Sequence, residues 1–240
     1  MSTTMVFKRY ELKYLLTEDQ YRELQQVMAE HMQIDEYGKN TIRNIYFDTP
    51  DFLLIRRSIE RPCYKEKLRV RSYGNFNENS NVFVEMKKKY EGVVYKRRLT
   101  LSQKEAFGFL VDHTPLAEET QIAKELAYFM EHYGSLQPAI ALHYEREAYF
   151  GLEDHDFRMT FDQDIRINTD NISLGNKGVF TPILNPNMVL LEVKTGMGIP
   201  AWLLSFFSEH KIYKTSFSKY GTAYQKFVLP KMKGGSHNVA

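Results

Sequence analysis

KEKLRVRSY, residues 65–73, sets Lys65, Lys67, Arg69, Arg71 and Tyr73 on one parity and largely apolar residues on the other. Side chains two apart in a strand share a face, so this segment predicts a strand with one charged and one apolar side. Working outward, VFVEMKKK (82–89) does the same with Glu85, Lys87 and Lys89, and FKRYELKY (7–14) with Arg9, Glu11 and Lys13. VVYKRRLT (93–100) offers Lys96 and Arg98, FRMTFDQDIRI (157–167) offers Arg158, Thr160, Asp162, Asp164 and Arg166, and LLEVKT (190–195) offers Glu192 and Lys194. For any one of these strands, a half-exposed sheet with a solvated polar face is the simplest reading.

The helices weigh against water as the general answer. TEDQYRELQQVMAEHM (17–32) opens with Thr17 and Gln20 as a capping box and carries a stripe of Tyr21, Leu24, Val27, Met28 and Met32. SQKEAFGFLVD (102–112) repeats the device with Ser102 and Glu105. EETQIAKELAYFMEHYG (118–134) aligns Ile122, Leu126, Phe129, Met130 and Tyr133 before a stop at Gly134. If these stripes cover the apolar strand faces, the charged faces look the other way, into water or into the lumen of a closed sheet. Eight candidate strands, near 7–14, 41–48, 64–73, 81–89, 92–100, 138–150, 157–167 and 188–195, are enough to close. A lumen lined with cations is costly unless something anionic fills it.

Composition bounds the rest. The 240 residues are 43% hydrophobic and show no linker or low-complexity tract, which predicts one domain over 1–230 and a polar, disordered tail over 231–240. Thirty-two basic and 30 acidic residues leave a formal net charge of +2, so a polyanion site is a local concentration rather than a global field. Nucleic acid is not expected as a partner. There is no apolar leader and no 18-residue apolar run, which predicts a soluble, cytoplasmic chain. The single cysteine, Cys63, fits a reducing compartment and reads as a packed thiol.

Several chemistries have no motif here: there is no phosphate loop, Rossmann glycine fingerprint, His-Glu-x-x-His or Gly-x-Ser-x-Gly. His143 reads as a satisfied core or surface histidine, and Asp162 with Asp164 and Arg166 as structural ion pairing at least as readily as a metal site. Tyr10, Tyr14, Tyr46 and Tyr73 lie near basic residues, yet the interleaved glutamates disfavour an RNA-binding sheet.

The ordered series RYELKY, NIYFDTPD, KLRVRSYG, VFVEMKKK, YKRR, HYEREAY, MTFDQDIRI, LLEVKTGMGIPAWL and TSFSKYGTAY resembles the catalytic domain of the vacuolar transporter chaperone polyphosphate polymerases over about residues 6–226. Those enzymes are triphosphate tunnel metalloenzymes, related to the CYTH-type phosphatases and adenylate cyclases. The resemblance implies an α+β fold: an eight-stranded antiparallel closed tunnel barrel with a charged lumen, surrounded by amphipathic helices.

Carried across by motif, it implies phosphate contacts at Lys13, Arg69, Arg71, Lys87, Lys96, Arg98, Arg146, Ser218 and Lys219, with Glu192 on a divalent metal, Mn2+ or Mg2+. Arg69, Arg71, Lys87, Arg146 and Glu192 form the expected catalytic group. The charged parities add Arg9, Lys67, Arg158 and Lys194 as phosphate-binding candidates, and Glu11 and Glu85 as further metal candidates. Two tensions remain in the sequence. Lys96 and Arg98 have a parity that could equally face outward, and Arg146 shares its parity with Ile140 and Leu142, a conflict that a bulge or a strand end would relieve. Ser216 stands where the family often has a lysine, with Lys214 two residues earlier.

Guanidinium and ammonium groups suit a triphosphate, and a metal would neutralise charge on the leaving group. The family's hydrolases and cyclases resemble a first-strand Glu-x-Glu-x-Lys, whereas this chain has Arg9-x-Glu11-x-Lys13. A cation in place of a carboxylate weakens a second metal site. The expected activity is therefore transfer of the ATP gamma-phosphate to a growing polyphosphate chain. The alternatives are an inorganic or nucleoside triphosphatase of the same fold, and a noncatalytic polyphosphate-binding module. Expected partners are ATP or another triphosphate and inorganic polyphosphate, with any membrane coupling left to a partner protein.

Overall fold

The alternating segments become strands in the computed structural model, which describes residues 10–234 except 61, 75, 78, 92, 176 and 177. The first half of the chain runs β1 (Tyr10–Thr17), α1 (Glu18–Met28), β2 (Met32–Ile34), β3 (Asn40–Asp48), α2 (Leu53–Ile59), β4 (Tyr64–Tyr73), β5 (Asn81–Tyr90), β6 (Val93–Ser102), α3 (Gln103–Leu110) and α4 (Gln121–Tyr133). The second half runs β7 (Gln137–Gly151), β8 (Arg158–Asn168), β9 (Thr181–Pro182), β10 (Met188–Thr195), α5 (Ala201–Glu209), β11 (Lys214–Thr215), α6 (Lys219–Ala223), a π-helical turn (Tyr224–Val228) and α7 (Leu229–Gly234).

All eight expected strands are present, as β1, β3, β4, β5, β6, β7, β8 and β10, with β2, β9 and β11 as short additions. The strand order among the described residues is open, ending at β11 and at β6. The expected mostly antiparallel sheet with helices is present, with eleven strands where eight were expected and no closing pairing among the described residues. The tail expectation is corrected in part: α7 carries helix to Gly234, because the chain follows directly from the π-helical turn. Residues 235–240 lie outside the described residues. Cys63, expected as a packed thiol, is exposed.

Contacts divide the chain into two compact units made of interleaved segments. The first takes the described parts of Met1–Asn40, Tyr144–Ile165 and Leu184–Phe217. In it β1 pairs antiparallel with β10 and β11, β10 with β8, and β2 with β7. Its core sits between the apolar parity of the strands (Leu16, Met159, Phe161, Leu191, Val193) and helices α1 and α5. Thr17 caps α1 through the reciprocal bonds with Gln20 that the sequence predicts. The helix stops at Met28, earlier than its stripe suggests: Val27 is exposed, while Met32 is still buried but as the first residue of β2.

The second unit takes Thr41–His143, Arg166–Ile183 and the described part of Ser218–Ala240. Here β3, β4, β5 and β6 follow one another as antiparallel neighbours. Ile45, Phe47, Leu68, Val70, Val84 and Met86 pack under α3 and α4. Ser102 and Glu105 form the second capping box, and Thr120 caps α4. Gly134 ends α4 at φ 73°, a left-handed value that glycine adopts without a Cβ penalty.

Candidate functional site

In the second unit the register of β4, β5 and β6 aligns the charged parities into rows. Lys67 lies opposite Lys87, which lies opposite Lys96; the next row is Arg69, Glu85 and Arg98, and the next is Arg71, Phe83 and Thr100. Lys65 and Lys89 form a further pair at the other end. These positions carry Lys65, Lys67, Arg69, Arg71, Lys87, Lys89, Lys96 and Arg98 against a single carboxylate, Glu85. Like charges placed directly opposite destabilise a sheet. In the Lys67, Lys87 and Lys96 row three cations stand side by side across β4, β5 and β6, with Lys96 reaching Glu85 of the next row at 2.6 Å.

Glu85 is 2% exposed and is the hub of this face. Its Oε2 accepts from Arg69 Nε at 2.8 Å, and Arg69 Nη2 lies 2.7 Å away. Its Oε1 accepts from Arg98 Nε at 2.8 Å and stands 2.6 Å from Lys96 Nζ. Arg71 Nη1 is 3.9 Å off. Burial pushes the carboxyl up, but Arg69, Arg71 and Lys96 outweigh it and hold Glu85 well below the usual carboxylate range. Because Lys96 and Arg98 both meet Glu85, their parity is settled: they share its face, while Arg97 pairs with Glu125 of α4.

Neutral side chains that the sequence reading gave no site role complete this face. Tyr46 of β3 accepts from Arg69 Nη1 at 3.2 Å. Burial raises its phenol, yet Arg69, Lys67 and Arg71 together bring it down to about 8. Tyr73 accepts from Arg98 Nη2 at 3.0 Å and Arg71 Nη1 at 3.4 Å, and Asn44 Oδ1 accepts from Arg71 Nε at 2.8 Å. The signal for Tyr46 and Asn44 is their parity opposite the basic strand, which needs the β3–β4 register to be read. Ser218 caps α6, accepting from Gly221 N and, at 3.3 Å, from Lys67 Nζ; Lys219 follows, buried.

In the first unit the polar face is mixed. Glu11 lies opposite Lys194, which lies opposite Arg158; Lys13 lies opposite Glu192, which lies opposite Thr160. Lys13 Nζ is 3.1 Å from Glu192 Oε1 and 3.6 Å from Glu11. Arg146 Nε donates to Asp162 Oδ1 at 2.5 Å, and its Nη2 to Asp162 Oδ2 at 2.7 Å and Glu192 Oε2 at 3.2 Å. Asp162, fully buried, is thus an ion-pair partner. The parity conflict at Arg146 dissolves because β7 is buried on both faces from Ala139 to Tyr144, so Ile140 and Leu142 mark no single side. Glu147, on the opposite parity, accepts from Tyr21 and Tyr149. Arg158 is exposed and Lys194 half-buried. Arg9 lies outside the described residues.

Among the described residues no three His, Cys, Asp or Glu side chains cluster as a metal cage. Magnesium-type sites often use only one or two carboxylates and take further oxygens from substrate phosphates. Glu192 and Glu11 supply that number of carboxylates, but both oxygens of Glu192 meet cations, Lys13 at 3.1 Å and Arg146 at 3.2 Å, as both oxygens of Glu85 do, so a metal on Glu192 would have to take the place of such a contact.

A family model, that of the VTC domain, matches residues 8–228. Vacuolar transporter chaperone complex subunit 4 of Trypanosoma cruzi is 26% identical over 185 residues, covering 64% of this chain and 23% of that protein, so the chain spans about a quarter of that relative's length. The crystal structure of a candidate adenylate cyclase from Bacillus halodurans superposes with a TM-score of 0.53 at 16% identity, covering 92% of this chain and 99% of its own. That likeness concerns the fold alone.

Proposed function

The chain belongs to the VTC domain family, and we propose from that membership and the site's chemistry that it is a polyphosphate polymerase, transferring the ATP gamma-phosphate to a growing inorganic polyphosphate chain. The observation that carries the reading is the Lys67, Lys87 and Lys96 row beside the Glu85 cluster. Cations in such register ask for a polyanion, and a triphosphate or polyphosphate supplies one oxygen charge after another along its length. The relative's name as a vacuolar transporter chaperone subunit supports the same class.

Each group has a task in this proposal. Arg69, Arg71 and Arg98 offer planar, forked donors to nonbridging oxygens, while Lys67, Lys87, Lys96 and Lys219 offer compact charges. Tyr46, Tyr73 and Asn44 keep the guanidinium planes oriented. Lys13, Arg146, Arg158 and Lys194 are assigned to phosphate in the first unit, with Glu192 and Glu11 as the carboxylates that would hold Mg2+ or Mn2+. When bound, that ion would neutralise charge on the phosphates. A terminal phosphate of the chain is already an anionic nucleophile, so transfer needs alignment and charge stabilisation more than a strong base. Closure of the sheet into a tunnel, a single folding domain and a cytoplasmic location belong to this proposal and rest on family membership.

Hydrolysis is the second reading, and Arg9 in place of a hydrolase-type glutamate weighs against it. The test uses labelled ATP with manganese. The wild type should yield ADP and acid-labile polymer with free phosphate minor, and Arg9→Glu should shift the ratio toward free phosphate. Stoichiometric phosphate without polymer would move the assignment to triphosphatase, and tight polyphosphate binding with neither product would move it to a noncatalytic module.

A further inference from the structure

Two motifs quoted for the family resemblance, YFDTPD and FSKYG, contain polar residues that the phosphate site does not use: Asp48 and Tyr220. Asp48 is fully buried at the end of β3. Its Oδ1 accepts from the backbone N–H groups of Thr49 at 2.9 Å and Leu54 at 2.8 Å, and its Oδ2 from Ile55 N at 3.0 Å. The remaining donor is Tyr220 of α6, whose hydroxyl reaches Oδ2 at 2.8 Å. A carboxylate pinned by three backbone donors is a fixed point, so the Tyr220 ring is fixed as well.

The consequence lies on the other side of that ring. Tyr220 stacks on Tyr46 with centroids 4.5 Å apart and an interplanar angle of 15°. Tyr46 is the residue whose hydroxyl accepts from Arg69 Nη1, while Glu85 takes the Nε and Nη2 side of the same guanidinium. The phenol is thus a neutral contact on Nη1, separate from the charged contacts that Glu85 makes with Nε and Nη2. We propose that Tyr220 is a positioning residue: anchored by Asp48, it sets the plane of Tyr46, which in turn holds Arg69 in the orientation that meets phosphate. This rests on the phosphate-binding reading of Arg69 given above. Tyr220 also lies two residues after Ser218, so the same anchor fixes the start of α6 beside Lys67.

A purely structural role for the Asp48–Tyr220 bond predicts lower thermal stability and nothing more. Calorimetry with tripolyphosphate on the full chain separates the two. Tyr46→Phe should weaken binding about tenfold and Tyr220→Phe about threefold to fivefold, because the latter keeps the stack but frees the ring. The double variant should bind no more weakly than Tyr46→Phe alone, since both act through one guanidinium. An unchanged Kd for Tyr220→Phe, even with a lower Tm, overturns the proposal, and so do losses that multiply in the double variant. Arg69→Ala is the control: if it binds as tightly as the wild type, or the wild type does not bind, the phosphate reading itself falls and takes this inference with it.

Discussion

A single buried carboxylate holding four cations together is the decisive residue-scale feature. Glu85 offsets only part of the charge of Arg69, Arg71, Lys96 and Arg98, which leaves the face positive, as the proposed phosphate site requires. Removing one member of a buried pair costs about 3 to 5 kcal/mol. The cations here are 23%, 38% and 43% exposed for Arg69, Arg98 and Lys96, and water screens them. Glu85→Gln should therefore lose about 2 kcal/mol at neutral pH. Its folded pKa is depressed, so the contribution is complete above the unfolded value of about 4.3 and is lost as pH falls through the folded one. The gap between wild type and variant in urea unfolding should thus be constant from pH 7 down to about 5 and close only in strong acid. Tripolyphosphate should restore more stability to the variant than to the wild type, since it supplies the missing negative charge. Equal stability at pH 7 would mean that Glu85 does not balance this cluster.

At the scale of elements, β4 was legible to the residue, and both capping boxes were legible because Ser/Thr with Gln/Glu three places on is a local signal. Register was not. That Lys67, Lys87 and Lys96 form one row depends on the register in which β4, β5 and β6 pair, which the parity of each segment alone does not give. The helices α5 and α6 lack an alternating stripe to announce them, Ala201–Glu209 being apolar nearly throughout. In β7 alternation fails for a different reason: both faces are buried from Ala139 to Tyr144, so parity carries no information there. That burial has a measurable cost at His143. It is 8% exposed, stacked on Phe180, and its Nε2 lacks a hydrogen-bond partner among the described residues. Burial, helped by Arg43, pushes the imidazole down to about 4. A depressed histidine pKa means that stability is complete above about 6.5 and lost as pH falls toward the folded value. The wild type should lose about 2 to 3 kcal/mol between pH 7 and pH 4 through this group. His143→Gln should flatten that part of the profile. An unchanged slope between pH 6.5 and 4 would place the titration elsewhere.

Across the whole molecule a formal net charge of only +2 conceals an uneven distribution. The second unit gathers eight cations and one carboxylate, Glu85, on one face of β4, β5 and β6, while on the first unit's polar face Lys13, Arg146, Arg158 and Lys194 are interleaved with Glu11, Asp162 and Glu192. Asp162 pairs with Arg146, and under the proposed function Glu192 and Glu11 would hold the divalent ion. Affinity and turnover should therefore separate by residue. Arg69→Ala should weaken tripolyphosphate binding by about 1.5 to 3 kcal/mol, the value of a charge-assisted contact. Glu192→Ala should leave that binding largely intact, since it removes a negative charge, yet abolish metal-dependent turnover of ATP. Because the cation rows offer charge and no purine pocket is evident in the motifs, the wild type should bind ATP, GTP and tripolyphosphate alike, and more weakly as salt rises. Calorimetry at two ionic strengths, paired with a product assay on both variants, reads every arm. Full activity in Glu192→Ala would shift the metal to Glu11, and a strong preference for one nucleobase would mean that recognition extends beyond the phosphates.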